Sequence, residues 1–308
     1  MVSESLVHAC AGGAGGLVAM TATYPLMAIS TRAAVDRSRK PGESLVQALR
    51  TVLEKEGVLG LYDGLGSSLL GIGVSNFVYY FFFEAARDFI LTSKRLTRST
   101  TAALGTLTTL ESIVAGLLAG SATAIISNPI WVVNTRQTVR TSQQTSAAPV
   151  LRRLSFLATL RSIVEKDGVR ALWKGIGPAL VLVTNPVLQY TAFEQLKTWV
   201  LASRAARGHA SLRDWDHFWL GALSKLISTS ITYPQIVIKA RQQAISNEAG
   251  RPQKANVWTA MTDVVHEEGL GGLYRGISSK LLQSILTAAI LFASKERIYQ
   301  ITKTLLAK

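Results

Sequence analysis

A proline recurs at a near-constant interval along this chain: Pro25, Pro129 and Pro234 stand 104 and 105 residues apart. Each opens a similar run, PLMAISTR (Pro25–Arg32), PIWVVNTR (Pro129–Arg136) and PQIVIKAR (Pro234–Arg241), which closes on an arginine at the same offset. A second mark follows each: EGVLGLYDG (Glu56–Gly64), DGVRALWKG (Asp167–Gly175) and EGLGGLYRG (Glu268–Gly276). A third reads FEAAR (Phe83–Arg87), FEQLK (Phe193–Lys197) and KERIY (Lys295–Tyr299). Three marks in one order, three times over, mean one structural unit built three times. The expected repeats are 1–100, 101–205 and 206–308, within a single domain.

Apolar stretches run near 6–30, 67–92, 109–135, 176–201, 216–238 and 279–304. Each approaches the ~20 residues with which a helix crosses a bilayer. The sequence thus predicts an all-α membrane protein with six transmembrane helices in three homologous helix pairs. Hydrophobic residues make up 48% of the chain, and mean hydropathy is only +0.25, which suits helices that keep a polar face. The net charge of +14 lies mostly between the apolar stretches. That placement fits lipid headgroups and anionic solutes rather than nucleic acid. Pro25, Pro129 and Pro234 stand near the close of the odd-numbered apolar stretches. The glycine of each second mark permits a tight turn, and its aromatic suits a membrane interface. Gly12 with Gly16, and Gly116 with Gly120, have the spacing of close helix packing.

With these marks the whole chain resembles the mitochondrial carrier family (solute carrier family 25). The resemblance implies six tilted helices about a pseudo-threefold axis, short helices parallel to the membrane in the odd loops, one central binding site and alternating access. Trp131 within PIWVVNTR is similar to carriers of nucleotides and nucleotide-like cofactors. The stretches SNFVYY (Ser75–Tyr80), NPVLQY (Asn185–Tyr190), GALSKLISTSITYP (Gly221–Pro234) and KLLQSILTAA (Lys280–Ala289) resemble the peroxisomal branch, and TYPLMAISTRA (Thr23–Ala33) its fungal members. That branch exchanges adenine nucleotides, and related members accept CoA or NAD.

The chain departs from the family at one gate. The three acids of the proline motif are replaced by Met27, Trp131 and Ile236, and the basic positions hold Ser30, Asn134 and Lys239. The matrix-side gate would then rest on Arg32, Arg136, Arg241, Asn134 and Lys239. The arginines would attract phosphates or bond helix-end carbonyls, and a weak gate would lower the barrier on that side. The cytosolic-side gate is better kept: Glu84, Glu194 and Glu296 supply acids and Arg87 and Lys197 bases, with Tyr299 at the third basic position. Rim ion pairs suit gating because they form in one state and break in the other.

Substrate-binding candidates are polar residues within apolar segments, where they are costly unless used. Lys225, nine residues before Pro234, would pair with a phosphate or satisfy a neighbouring helix. Asn185 with Gln189, Lys280 with Gln283, and Asn76 with Tyr80 have the spacing to share helix faces. Amides can bond an adenine edge and tyrosine can stack on a base. An ordinary reading stands beside each; for Asn185-Pro186 it is a kink repaired by the amide.

Other classes fit less well. His8, His209, His217 and His266 lack metal-ligand spacing, Cys10 is the single cysteine, and there is no Walker-type loop. No enzyme activity, cofactor or metal is expected. A non-transporting membrane adaptor would have no need of Lys225 and the paired amides. No cleavable leader is expected, and Arg204, Arg207 and Arg213 face acidic lipid or serve targeting. The resemblance implies a monomer with both termini in the cytosol. The location expected from the resemblance is the peroxisomal membrane, with the mitochondrial inner membrane as the alternative. The partners expected are lipid and a nucleotide or nucleotide-cofactor solute: adenine nucleotides first, then CoA, NAD, FAD, folate or pyrimidine nucleotides.

Overall fold

A computed structural model describes residues 4–36, 45–96, 107–143, 154–205, 214–245, 256–288 and 290. The described residues are helical, without strands. The helices are α1 (Glu4–Val35), α2 (Leu45–Gly60), α3 (Leu65–Leu96), α4 (Thr109–Gln143), α5 (Phe156–Asp167), α6 (Ile176–Leu182), α7 (Asn185–Ala205), α8 (Asp214–Ala244) and α9 (Val257–Glu268). Residues 277–288 form a further helical stretch. Among the described residues, three stretches are long and apolar enough to cross a membrane: Leu65–Lys94, Thr109–Val139 and Val169–Ser203.

Two compact units divide the chain. One comprises Met1–Leu65, Gln137–Leu154 and Tyr274–Lys308, the other Gly66–Arg136 and Ser155–Leu273. The same local packing recurs in both. In the first, Ile29 of α1 packs with Val52 of α2 and with Leu61. In the second, Val133, Ile163 and Leu172 cluster, and so do Ile238, Val264 and Leu273. These are the same three repeat positions each time. Each short amphipathic helix is thus seated on the end of its long helix by an apolar triad. Burying each such side chain from water contributes about 1.5–3 kcal/mol.

The prolines do not end their helices. Pro25, Pro129 and Pro234 lie inside α1, α4 and α8, which continue to Val35, Gln143 and Ala244. A proline within a helix strips the carbonyl four residues earlier of its donor. At Pro129 that carbonyl belongs to Ile125, and the Trp173 indole Nε1 donates to it at 3.0 Å. The aromatic expected only as an interface residue therefore also repairs the backbone. Among the described residues, six glycines with positive φ shape the turns between short and long helices. Gly57, Gly168 and Gly269 follow the acids with φ of 71°, 80° and 72° and extended ψ, a region open to glycine almost alone.

Other expectations divide. A Cβ on Gly120 would meet Val183 at 2.5 Å, and one on Gly116 the Tyr79 hydroxyl at 3.4 Å, so both glycines serve close packing. Gly16 has open space around it, and the side-chain position of Gly12 lies outside the described set. The apolar stretch 176–201 is not one helix. It breaks at Val183–Thr184, and α7 restarts with Pro186 at its second residue, where a missing N–H costs nothing.

Ser155 caps α5 by accepting from the Ala158 amide at 3.3 Å. Ser155→Ala is expected to cost about 1 kcal/mol. Thermal unfolding should register this as a drop of about 2–4 °C.

Candidate functional site

The arginines closing the three proline runs are the most heavily engaged side chains described. Arg32, 2% exposed, donates from Nη1 to both Glu56 carboxylate oxygens at 3.0 and 2.9 Å. Its Nη2 reaches the Gly60 carbonyl and its Nε the Thr138 carbonyl, each at 2.9 Å. Arg241 pairs with Glu268 at 2.6 and 2.9 Å and donates to Gly272. Arg136 pairs with Asp167, and also donates to the carbonyls of Gln243 at 3.2 Å and Ile245 at 2.9 Å. Each acid is the one that opens the second mark of the same repeat.

These guanidiniums are therefore committed to acids and helix-end carbonyls. Of the two uses foreseen for them, carbonyl bonding is the one observed, with an acid in addition. Sequence reading found both marks but did not join them; the shared signal was their recurrence at matching repeat positions. Burial pushes the Glu56 carboxyl above its usual value even with Arg32 beside it. Desolvation outweighs attraction there, so the pair fixes geometry more than it adds net stability.

A second layer of bonds lies beside these pairs. Tyr24 donates its hydroxyl to the Asp63 carbonyl at 2.8 Å. At the equivalent position Asn128 donates to the carbonyls of Leu172 and Lys174 at 2.9 and 3.1 Å. Gln243, 3% exposed, donates to Asn128 Oδ1 at 3.2 Å and accepts from Thr135 at 3.0 Å. Tyr24, Asn128 and Gln243 were missed in the sequence because single polar residues without charge give no signal there.

The substituted gate positions are hydrogen-bonded. Ser30 donates to the Gly276 carbonyl at 3.0 Å, and Asn134 donates to Ser68 Oγ at 2.7 Å. Trp131 Nε1 donates to Ser75 Oγ at 3.2 Å, and its ring packs where a Cβ on Gly71 would fall, at 3.3 Å. Lys239 is partly buried and has no hydrogen-bond or ion-pair partner among the described residues.

At the other end, Glu84 pairs with Arg87 at 3.0 Å and Glu194 with Lys197 at 3.5 Å. Both pairs lie within one helix, three residues apart, and all four side chains are at least one-third exposed. Glu296 and Tyr299 lie outside the described residues, as do Arg207 and Arg213.

Of the substrate-binding candidates, Lys280 and Gln283 are brought together, Nζ donating to Oε1 at 2.8 Å. Asn185 Nδ2 donates to Thr232 Oγ1 at 2.6 Å, tying α7 to α8, so its amide serves a tertiary bond. Gln189 is partly buried on α7, while Asn76 and Tyr80 are exposed on α3. Tyr80 sets its ring edge-on to Tyr79 at 5.8 Å. Lys225 is partly buried in α8, and no described residue pairs with its ammonium. A cation without a counter-charge in an apolar helix attracts an anion from outside the chain.

Helix-repeat architecture and apolar helices long enough to cross a membrane fit a multi-pass membrane protein. The family description "Mitochondrial carrier protein" matches three successive segments, 2–94, 105–204 and 211–305. Among relatives, the peroxisomal nicotinamide adenine dinucleotide carrier of Arabidopsis thaliana is 33% identical, over 99% of this chain and 98% of its own. The peroxisomal membrane protein PMP47B of Candida boidinii is 33% identical over 96% and 86%. The peroxisomal membrane protein PMP34 of Mus musculus is 30% identical over 98% and 95%. The chain belongs to the mitochondrial carrier family and stands with its peroxisomal members. It is a solute carrier and not an enzyme.

Proposed function

We propose that this carrier exchanges adenine nucleotides, ATP against AMP or ADP, across the peroxisomal membrane. The observation that carries the reading is Lys225, a partly buried cation of α8 without a counter-charge among the described residues. Its ammonium supplies what a phosphate requires. Lys280 and Gln283 offer a second cation beside an amide, and amides can read an adenine edge. Exchange needs no hydrolysis, only a site that the solute itself makes neutral. The ion pairs Glu84–Arg87 and Glu194–Lys197, with Glu296, would close the cytosolic side. Arg32, Arg136 and Arg241, with Asn134 and Lys239, would form the opposite closure. Asn185, Gln189, Asn76 and Tyr80 complete the proposed substrate contacts.

A second reading takes NAD as the exchanged solute, since one full-length relative carries that name. Both solutes present adenine and phosphates. Thermal unfolding of the purified protein with ATP, AMP, NAD, CoA or folate separates them. ATP and AMP are expected to raise the unfolding temperature by several degrees, and Lys225→Ala should abolish the rise. A rise with NAD alone would select the second reading, and a rise with folate alone would contradict both.

A further inference from the structure

Lys225 and Lys239 lie on the same helix, α8, fourteen residues apart. Fourteen residues are close to four turns of 3.6, so both fall on one face, with Thr232 midway between them. At 1.5 Å per residue they are about 21 Å apart along the axis. Both are partly buried. Neither ammonium has a hydrogen bond or ion pair among the described residues, and no described carboxylate acts on either. Their unit's other helix-end cations contrast with them. Arg136 and Arg241 hold Asp167 and Glu268, Lys94 holds Glu111, Lys197 holds Glu194, and Lys174 donates to the Ile245 carbonyl.

We propose that Lys225 and Lys239 are two successive stations for the phosphate groups of the transported solute, reached one after the other along this face of α8. The inference deepens the nucleotide reading above and rests on it. Midway between the stations Thr232 offers an anion no donor. The Thr232 hydroxyl donates to the Ser228 carbonyl at 2.8 Å and accepts from Asn185, so it has no proton left for a phosphate. A phosphate chain, much shorter than the gap, touches one ammonium at a time. Each station is costly while empty, because an ammonium taken from water without a partner is penalised. An arriving anion lifts that cost at one lysine and, on moving, at the other. With Met27, Trp131 and Ile236 standing where acids would have been expected, Lys239 has no motif carboxylate to hold within that closure and receives the phosphate of the solute as it passes.

The test uses the full chain and four variants, Lys225→Met, Lys239→Met, Lys239→Arg and the double Met. Thermal unfolding is followed with and without ATP, and ATP exchange is followed in liposomes. Lys239→Met is expected to unfold a few degrees higher than the parent, because an unpaired charge has gone. It should keep the stabilisation by ATP, held at Lys225, yet exchange at least tenfold more slowly. Lys239→Arg should restore most of the exchange. Lys225→Met should lose the stabilisation by ATP, and the double variant both properties. Wild-type exchange by Lys239→Met would overturn the inference, as would its failure to fold, which would reveal a structural partner. ATP stabilisation that survives in Lys225→Met would overturn the first station. If the parent itself neither exchanges nor is stabilised by any nucleotide, the nucleotide reading falls and this inference with it. That outcome is distinct from an active parent with a fully active Lys239→Met.

Discussion

Arg241→Met is expected to cost about 3–5 kcal/mol, because it leaves a buried carboxylate without its cation. Glu268 is 8% exposed and accepts two charge-assisted bonds from Arg241. Water cannot replace that guanidinium without opening the seat of α9, where Val264 packs against Ile238 and Leu273. The purified variant should unfold about 6–20 °C below the parent, at about 2–4 °C per kcal/mol. Adding Glu268→Leu should recover part of the loss, since an apolar pair carries no desolvation penalty. Full recovery is not expected, because Arg241 also donates to the Gly272 carbonyl. A single variant as stable as the parent would mean that the pair is solvated and does not hold the short helix.

Gly175→Ala is expected to cost about 2–5 kcal/mol through two effects. The residue adopts φ 77° and ψ 11°, a left-handed conformation that costs an L-residue about 1–2 kcal/mol. The new Cβ would also sit 3.0 Å from Gln243 Cγ and 3.1 Å from the Lys239 carbonyl oxygen. Gln243 is fixed by Asn128 and Thr135, and a helix carbonyl cannot move alone, so overpacking adds about 1–3 kcal/mol. Asparagine tolerates the left-handed region and would therefore rescue the conformation but not the contact. Gly175→Asn should therefore unfold between Gly175→Ala and the parent. Parental stability for Gly175→Asn would show that the contact gives way.

The repeat was legible in the sequence because its marks are chemically rare: a proline, an acid followed by glycine, an aromatic two residues before another glycine. Helix boundaries were less so. The prolines were visible near the close of the apolar stretches, but not how α1, α4 and α8 run past them: a helix can pass a proline when another group takes the freed carbonyl, as Trp173 does at Ile125. That donor lies 48 residues away, beyond the reach of any local pattern. The site divides in the same way. Glu84 with Arg87, and Lys280 with Gln283, are local pairs at i,i+3 spacing and were visible as such. The partnership of Arg32 with Glu56 depends on how α2 folds back on α1, which only the tertiary packing fixes. Asn185 looked available for a nucleotide and is bonded to Thr232, a partner 47 residues on. Lys225 kept its place as a candidate because no described residue claims its charge.

The most direct measurement is counter-exchange by the purified protein in liposomes preloaded with ATP, AMP, CoA or NAD, following uptake of labelled ATP. The account predicts rapid uptake against internal ATP or AMP, reduced to background by Lys225→Ala in protein shown to be folded. No uptake against any of the four, or uptake that Lys225→Ala leaves intact, would contradict it.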